Sequence, residues 1–334
     1  MDWLSYHLYY HQNLNRATVG FVAPVVASLL ECSWIDSFFF VRYGLGGPHL
    51  RLRLQVLPGC AGSVEEAVLR AGEEFLAREP STSSQPEEAI RQSNQAILAS
   101  DPHETDDSVY PDNTLLPFPF NPEIQRYGGP DLLPASLDFF AVSSLAALGF
   151  LFRHGEEPRQ RQLGPALRLI LRQALSFAMD DEELLSLATY GIETWGEVLP
   201  AIVAKGEKVF NGQRETFFAI LRQELEALSR DDENAYFRQA ARRLSATVAT
   251  ADAPARRRIG VSQLHMTATR MGLINPEEVY LSQLMVSTLR EALAEEPTLA
   301  SRLREASNRP GGDGISSPEN LLRTLARLRE NPPS

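Results

Sequence analysis

Gly46-Gly47-Pro48-His49-Leu50-Arg51-Leu52-Arg53-Leu54-Gln55-Val56 alternates at period two. His49, Arg51, Arg53 and Gln55 fall on one face, and Leu50, Leu52, Leu54 and Val56 on the other; this is the pattern of a half-buried strand. Side chains two apart on a strand lie on the same side, roughly 6–7 Å apart. Arg51 and Arg53 therefore stand side by side with like charge, and an anion between them relieves the repulsion. A planar guanidinium suits a carboxylate or phosphate better than a lysine point charge does. On the strand alone, pairing of both arginines with nearby Asp or Glu on a solvated face fits equally well. The preceding segment, Trp34 to Tyr43, reads as a second, more buried strand, and Gly44-Leu45-Gly46-Gly47-Pro48 as the turn between them. A basic face presented on a rigid aromatic hairpin tips the reading toward an anion site.

The chain has 334 residues, 43% hydrophobic and 22% charged, which is ordinary globular composition with ample material for a core. A net charge of -11 argues against a general nucleic-acid binder while leaving room for a local basic site. Cys32 and Cys60 show neither metal spacing nor a disulfide framework, which fits a reducing, cytoplasmic setting. Met1-Asp2-Trp3-Leu4 lacks the basic and apolar regions of a signal peptide, and no uninterrupted apolar run is read as long enough to span a bilayer.

Taken in order, Trp3 to Tyr10 reads as a first strand. A helix capped by Asn13 or Asn15 follows to about Cys32, with a kink possible at Pro24. After the hairpin, Ser63-Val64-Glu65-Glu66 reads as a capping box for a helix ending near Arg78. Residues 79–113 read as a mobile loop with a helix over 86–98, within one domain spanning 1–330. Pro117, Pro119 and Pro122 argue against a central strand, so the arm from Thr114 to Gly129 reads as extended, delivering Arg126 and Tyr127 to a Gly-Gly turn. Pairing of Arg126 with Glu123 is the structural alternative.

From Leu132 onward the pattern is helical: 133–154, 160–179, 181–203, 213–229, 234–249, 255–271, 276–295 and 317–329, with a linker at 306–312. Strands first and helices afterwards indicate an α+β fold. Its mainly antiparallel sheet comes from the N-terminal third and is covered by the largely helical C-terminal two-thirds. In Ser262 to Gly272, His265, Thr269 and Gly272 share one helical face; a lone His there is usually structural unless the fold brings it to the arginines. Phosphate-cradling, dinucleotide, zinc-protease and nucleophile-elbow motifs are absent, so no cofactor or metal is expected. No carboxylates form a defensible acid/base pair, and proton transfer with electrostatic stabilisation remains.

Three stretches together resemble one family. They are Phe39-Phe40-Val41-Arg42-Tyr43 leading through Gly-Gly-Pro to His49-Leu50-Arg51-Leu52-Arg53; Pro122-Glu123-Ile124-Gln125-Arg126-Tyr127-Gly128-Gly129; and His265-Met266 with Arg270 and Gly272. The match, from Trp3 to about Leu293, is to the C-terminal elimination domain of class I lantibiotic dehydratases, also found alone as thiopeptide-type bacteriocin biosynthesis proteins. The resemblance implies a lyase that removes glutamate from glutamylated Ser or Thr of a ribosomally made precursor peptide, leaving dehydroalanine or dehydrobutyrine. It implies Arg51, Arg53, Arg126 and His265 as catalytic residues, His265 serving as base or acid, with His49, Arg42, Tyr127, Thr269 and Arg270 as substrate-binding neighbours. Thr269 stands where the family usually has Asn. A separate tRNA-dependent glutamylating enzyme is implied as partner, since nothing here is long or basic enough to hold tRNA. Thiopeptide pyridine synthases, which join two dehydroalanines and release the leader peptide, are the alternative. A non-catalytic precursor-binding subunit is the third reading. The elimination reading requires Arg51, Arg53, Arg126 and His265 to converge on one cationic pocket. A pyridine synthase need not retain that set, and the binding-subunit reading expects Arg51→Ala, Arg53→Ala and His265→Ala to leave product formation intact.

Overall fold

A computed structural model describes residues 2–83, 85–100, 105–228, 230, 234–295 and 318–330. They fall into two compact units, where the sequence suggested one domain. The first holds residues up to Glu123 together with the C-terminal helix; the second begins at Ile124. Each buries its own apolar set.

The first unit is built on a four-stranded antiparallel sheet in the order β2-β3-β1-β4. Its strands are β1 (Asp2–Tyr9), β2 (Ile35–Tyr43), β3 (His49–Val56) and β4 (Thr114–Pro117). Tyr6 lies opposite Leu52 and Leu8 opposite Leu50; Phe38 and Phe40 face Leu54 and Leu52 from the other side. All of these side chains are buried, each contributing about 1.5–3 kcal/mol of apolar transfer. Helices α1 (Leu14–Ala17), α2 (Ala23–Glu31), α3 (Ala61–Arg78) and α4 (Glu87–Ser100) follow their strands. A C-terminal helix, α13 (Pro318–Glu330), returns to pack on α2 and β2 through buried Leu321, Leu325 and Leu328. The sheet's helical cover within this unit is therefore α2, α3 and α13. Gly72 of α3 admits the Leu115 side chain of β4, and an added Cβ there would collide with it.

Several expectations are refined. Asn13 caps α1, and a π-helical turn over Thr18–Val22 precedes Pro24. The widened turn accommodates a proline that would otherwise crowd the carbonyl of residue i−4. Ser63 is not the cap of α3: the helix begins at Ala61, just after Gly59 turns the chain at φ +83°. Pro117 ends an edge strand, where a missing N–H is tolerated. Within the stretch expected as a mobile loop, the described residues carry α4 and make hydrogen bonds to distant parts of the unit; residues 84 and 101–104 lie outside the described residues. Asn94 accepts from the Gly46 N–H at 2.8 Å and donates to the Asp107 carbonyl; Asn113 accepts from the Ser81 N–H at 2.6 Å.

The second unit is helical: α5 (Leu133–His154), α6 (Arg159–Phe177), α7 (Asp181–Ala188), α8 (Tyr190–Trp195), α9 (Pro200–Ala227), α10 (Ala235–Thr247), α11 (Ala253–Arg270) and α12 (Asn275–Glu295). The helix expected over 181–203 is broken: Pro200 disfavours the helical backbone at Leu199 and starts α9 instead. The expected start at Gln213 is a kink within α9, with φ −136°. Alone among the described helices, α5 has the length and apolarity to cross a membrane, contrary to the sequence reading. It is mostly buried and packs against α6, α10 and α11, as a core helix does. Arg168 and Arg172 of α6 hold the buried Glu224 of α9, and Arg256 of α11 holds Glu183 of α7. The linker expected at 306–312 lies outside the described residues.

Candidate functional site

The sheet face opposite the leucines carries the arginines. Register places His7 opposite Arg51 and Ser5 opposite Arg53 on one side, and Val41 and Phe39 opposite them on the other. Arg51 Nε donates to His49 Nε2 at 3.1 Å, and its guanidinium lies 3.9 Å above the Tyr43 ring. Arg53 donates to the Ser5 hydroxyl and faces the Phe120 ring at 5.7 Å. His49 is completely buried, with Nδ1 2.9 Å from the Gly47 carbonyl. Accepting from Arg51 at Nε2 makes Nδ1 the protonated nitrogen, donating to Gly47. Burial, then the Arg51 charge, push the His49 pKa down to about 3, so the imidazole is neutral. The turn that supplies Gly47 needs glycine: φ is +82° at Gly46 and +116° at Gly47, and a Cβ on Gly47 would strike the His11 ring. The chain from Tyr110 to Phe120 adds aromatic rings to this face. Phe118 stacks on His7 at 4.0 Å, Tyr110 on Tyr9 at 4.5 Å, and Phe120 meets Trp3 at 5.2 Å.

In the second unit His265 is part-exposed on α11, with Nδ1 3.0 Å from Glu278 Oε2 on α12. The Glu278 side chain is only 1% exposed, so this carboxylate is dedicated to the imidazole rather than to solvent. With Nδ1–H donated to Glu278, Nε2 is left as the proton-accepting nitrogen. Trp195, at the end of α8, packs its ring 5.3 Å from His265. Arg126 Nε donates to Ser262 Oγ at 3.0 Å, and its carbonyl accepts from Arg258. Ser262 and His265 are three residues apart, so Arg126 is tied to the helical face that carries the histidine. Thr269 continues that face one turn on. Gly272, at φ +83°, closes α11: its N–H donates to the Thr269 carbonyl and that of Leu273 to Ala268, a Schellman end. Arg159 clamps the same turn by donating to the Gly272 carbonyl and pairing with Glu277.

Four of the expected substrate-binding residues make contacts within the protein. Arg42 lies opposite Leu50, on the face away from Arg51, and donates to Asn15 Oδ1 at 2.8 Å. One residue of strand offset suffices to reverse a side chain. His49 is buried behind Arg51 and serves to position it. Tyr127 is buried and meets the Phe140 ring edge-on. Arg270 has no exposed surface; it donates to Ser143 Oγ at 3.1 Å and lies 4.6 Å over Phe140. Burial lowers its pKa to about 9. A helix advances about 100° per residue, so Arg270 points inward while its neighbour Thr269 does not. The fold thus groups Arg51 with Arg53 in the first unit and Arg126 with His265 in the second. The sequence reading missed Glu278 and His7. Pro276-Glu277-Glu278 gave no periodic cue to an inward carboxylate, whereas Ser5, His7 and Tyr9 alternate on β1 as the arginines do on β3. Among the described residues no three of His, Cys, Asp and Glu gather to hold a metal ion.

The family described as lantibiotic biosynthesis dehydratase C-term matches residues 3–289. No curated protein matched the sequence. Among solved structures, the pyridine synthase TbtD from thiomuracin biosynthesis aligns with a TM-score of 0.72 at 16% identity, covering 88% of this chain and 99% of that one. TsrL aligns at 0.53 and 16% identity, covering 93% and 99%. The tRNA-dependent lantibiotic dehydratase MibB from Microbispora sp. 107891 aligns at 0.54 and 19% identity, over 88% of this chain and 28% of that one.

Proposed function

The chain belongs to the lantibiotic dehydratase C-terminal family, which modifies ribosomally made peptides, and from that premise we propose that it eliminates glutamate from glutamylated Ser or Thr. The observation that carries the reading is the His265–Glu278 pair with Arg126 on the same helical face. His265 Nε2 takes the α-proton of the esterified residue. The electron pair left on Cα forms the Cα–Cβ double bond as the Cβ–O bond breaks, and glutamate departs as a carboxylate. The histidine then returns its proton to solvent. Glu278 orients the ring and holds its tautomer, as the carboxylate of a triad does. Arg126 offsets negative charge on the enolate-like intermediate. Arg51 and Arg53 bind carboxylate, for which the guanidinium fork is suited. The precursor peptide is the substrate, and a separate glutamylating enzyme supplies its ester.

The test is mass spectrometry of a synthetic glutamyl-serine peptide incubated with the protein. Loss of glutamate with formation of dehydroalanine is expected. An intact ester overturns the reading. Conversion of a peptide bearing two dehydroalanines to a pyridine, with leader release, would replace it with the pyridine-forming alternative.

A further inference from the structure

We propose that His7 is a third member of the carboxylate site, donating a ring N–H to the anion that Arg51 and Arg53 receive. The inference rests on the reading of those arginines as an anion site. His7 is 6% exposed, and neither ring nitrogen has a hydrogen-bond partner among the described residues. A buried imidazole without a partner is costly to the fold, and its retention calls for an explanation.

Position supplies that reason. His7 stands directly opposite Arg51, on the face shared with Ser5 and Arg53. Phe118 stacks on the ring at 4.0 Å and His49 packs at 4.9 Å, while Tyr9 lies edge-on at 6.3 Å. Stacking uses ring faces; hydrogen bonds leave from the ring edge, where both nitrogens lie. Burial and the surrounding His49, Arg53 and Arg51 hold His7 neutral, so one nitrogen carries a hydrogen and the other does not. A carboxylate arriving between the guanidiniums provides the missing acceptor. The ligand class is a carboxylate, which accepts several donors at once, rather than an apolar or cationic group.

His7→Phe preserves the stack on Phe118 and removes both nitrogens. With free L-glutamate as the probe, calorimetry should show affinity falling about tenfold or more, while the melting temperature holds or rises because the orphaned group is gone. Undiminished glutamate affinity in His7→Phe overturns the proposal. Arg51→Met separates the layers. If it abolishes glutamate binding and His7→Phe does not, only the role of His7 fails. If neither substitution matters, or the wild-type protein does not bind glutamate, the anion-site reading fails with it. Should His7→Phe not fold, the wild-type protein decides. A downfield shift of the His7 ring N–H on glutamate addition supports the proposal, and an unmoved signal overturns it.

Discussion

Arg51 and Arg53 lie against a neutral imidazole, a hydroxyl and the faces of Tyr43 and Phe120. His265 lies against the buried carboxylate of Glu278. A carboxylate behind an imidazole fixes the ring's orientation and tautomer, which suits a group that accepts a proton at its other nitrogen. On the proposed reading, the first region receives negative charge and the second moves a proton. Arg270 marks the contrast within the second unit. It is an arginine too, but its charge is spent on Ser143 and Phe140 inside the core.

The largest effect expected from this division is on turnover. His265→Ala should lower glutamate elimination about 10³-fold while leaving peptide affinity in place, read by single-turnover mass spectrometry. If affinity falls instead, the proton-transfer role is misplaced. Glu278→Gln should lower kcat by about 10²-fold with KM unchanged, since it removes orientation and charge but not contact with substrate. Arg126→Met and Arg51→Met should each cost about 10- to 100-fold in kcat/KM, the worth of a charged hydrogen bond.

Acid stability tests the neutral support. His49 binds a proton near pH 6.5 when unfolded but only at about 3 when folded, so the unfolded state holds the extra proton between those values. Stability should therefore fall as pH drops from 6.5 toward 3, by about 1.4 kcal/mol per unit for this group. His49→Gln, whose side-chain carbonyl can still accept from Arg51 Nε, should flatten part of that slope in thermal melts. An unchanged slope would assign the acid sensitivity elsewhere. The smallest effect is expected at Arg270. Arg270→Met should leave KM unaltered and change stability by about 1 kcal/mol or less, because an apolar group of similar length fills the buried site. A raised KM would return Arg270 to the substrate.

Much of this was legible in the chain. Period two in His49 to Gln55 gave the strand and the shared face of Arg51 and Arg53, because alternation follows from strand geometry alone. The helices 133–154 and 276–295 came from apolar patterning, and the close of α11 from Gly272. Such features depend on neighbours in sequence, and local sterics decide them. What tertiary structure decided is which side of an element meets a partner. Arg42 faces Asn15 across the sheet from Arg51, Arg270 turns into the core, and the partner of His265 is Glu278, on another helix. Glu278 sits beside an equally acidic Glu277 that pairs with Arg159 instead. Nothing in the residue types distinguishes the two carboxylates. Only the packing of α11 on its neighbours does, since burial and partner choice are set by contacts distant along the chain.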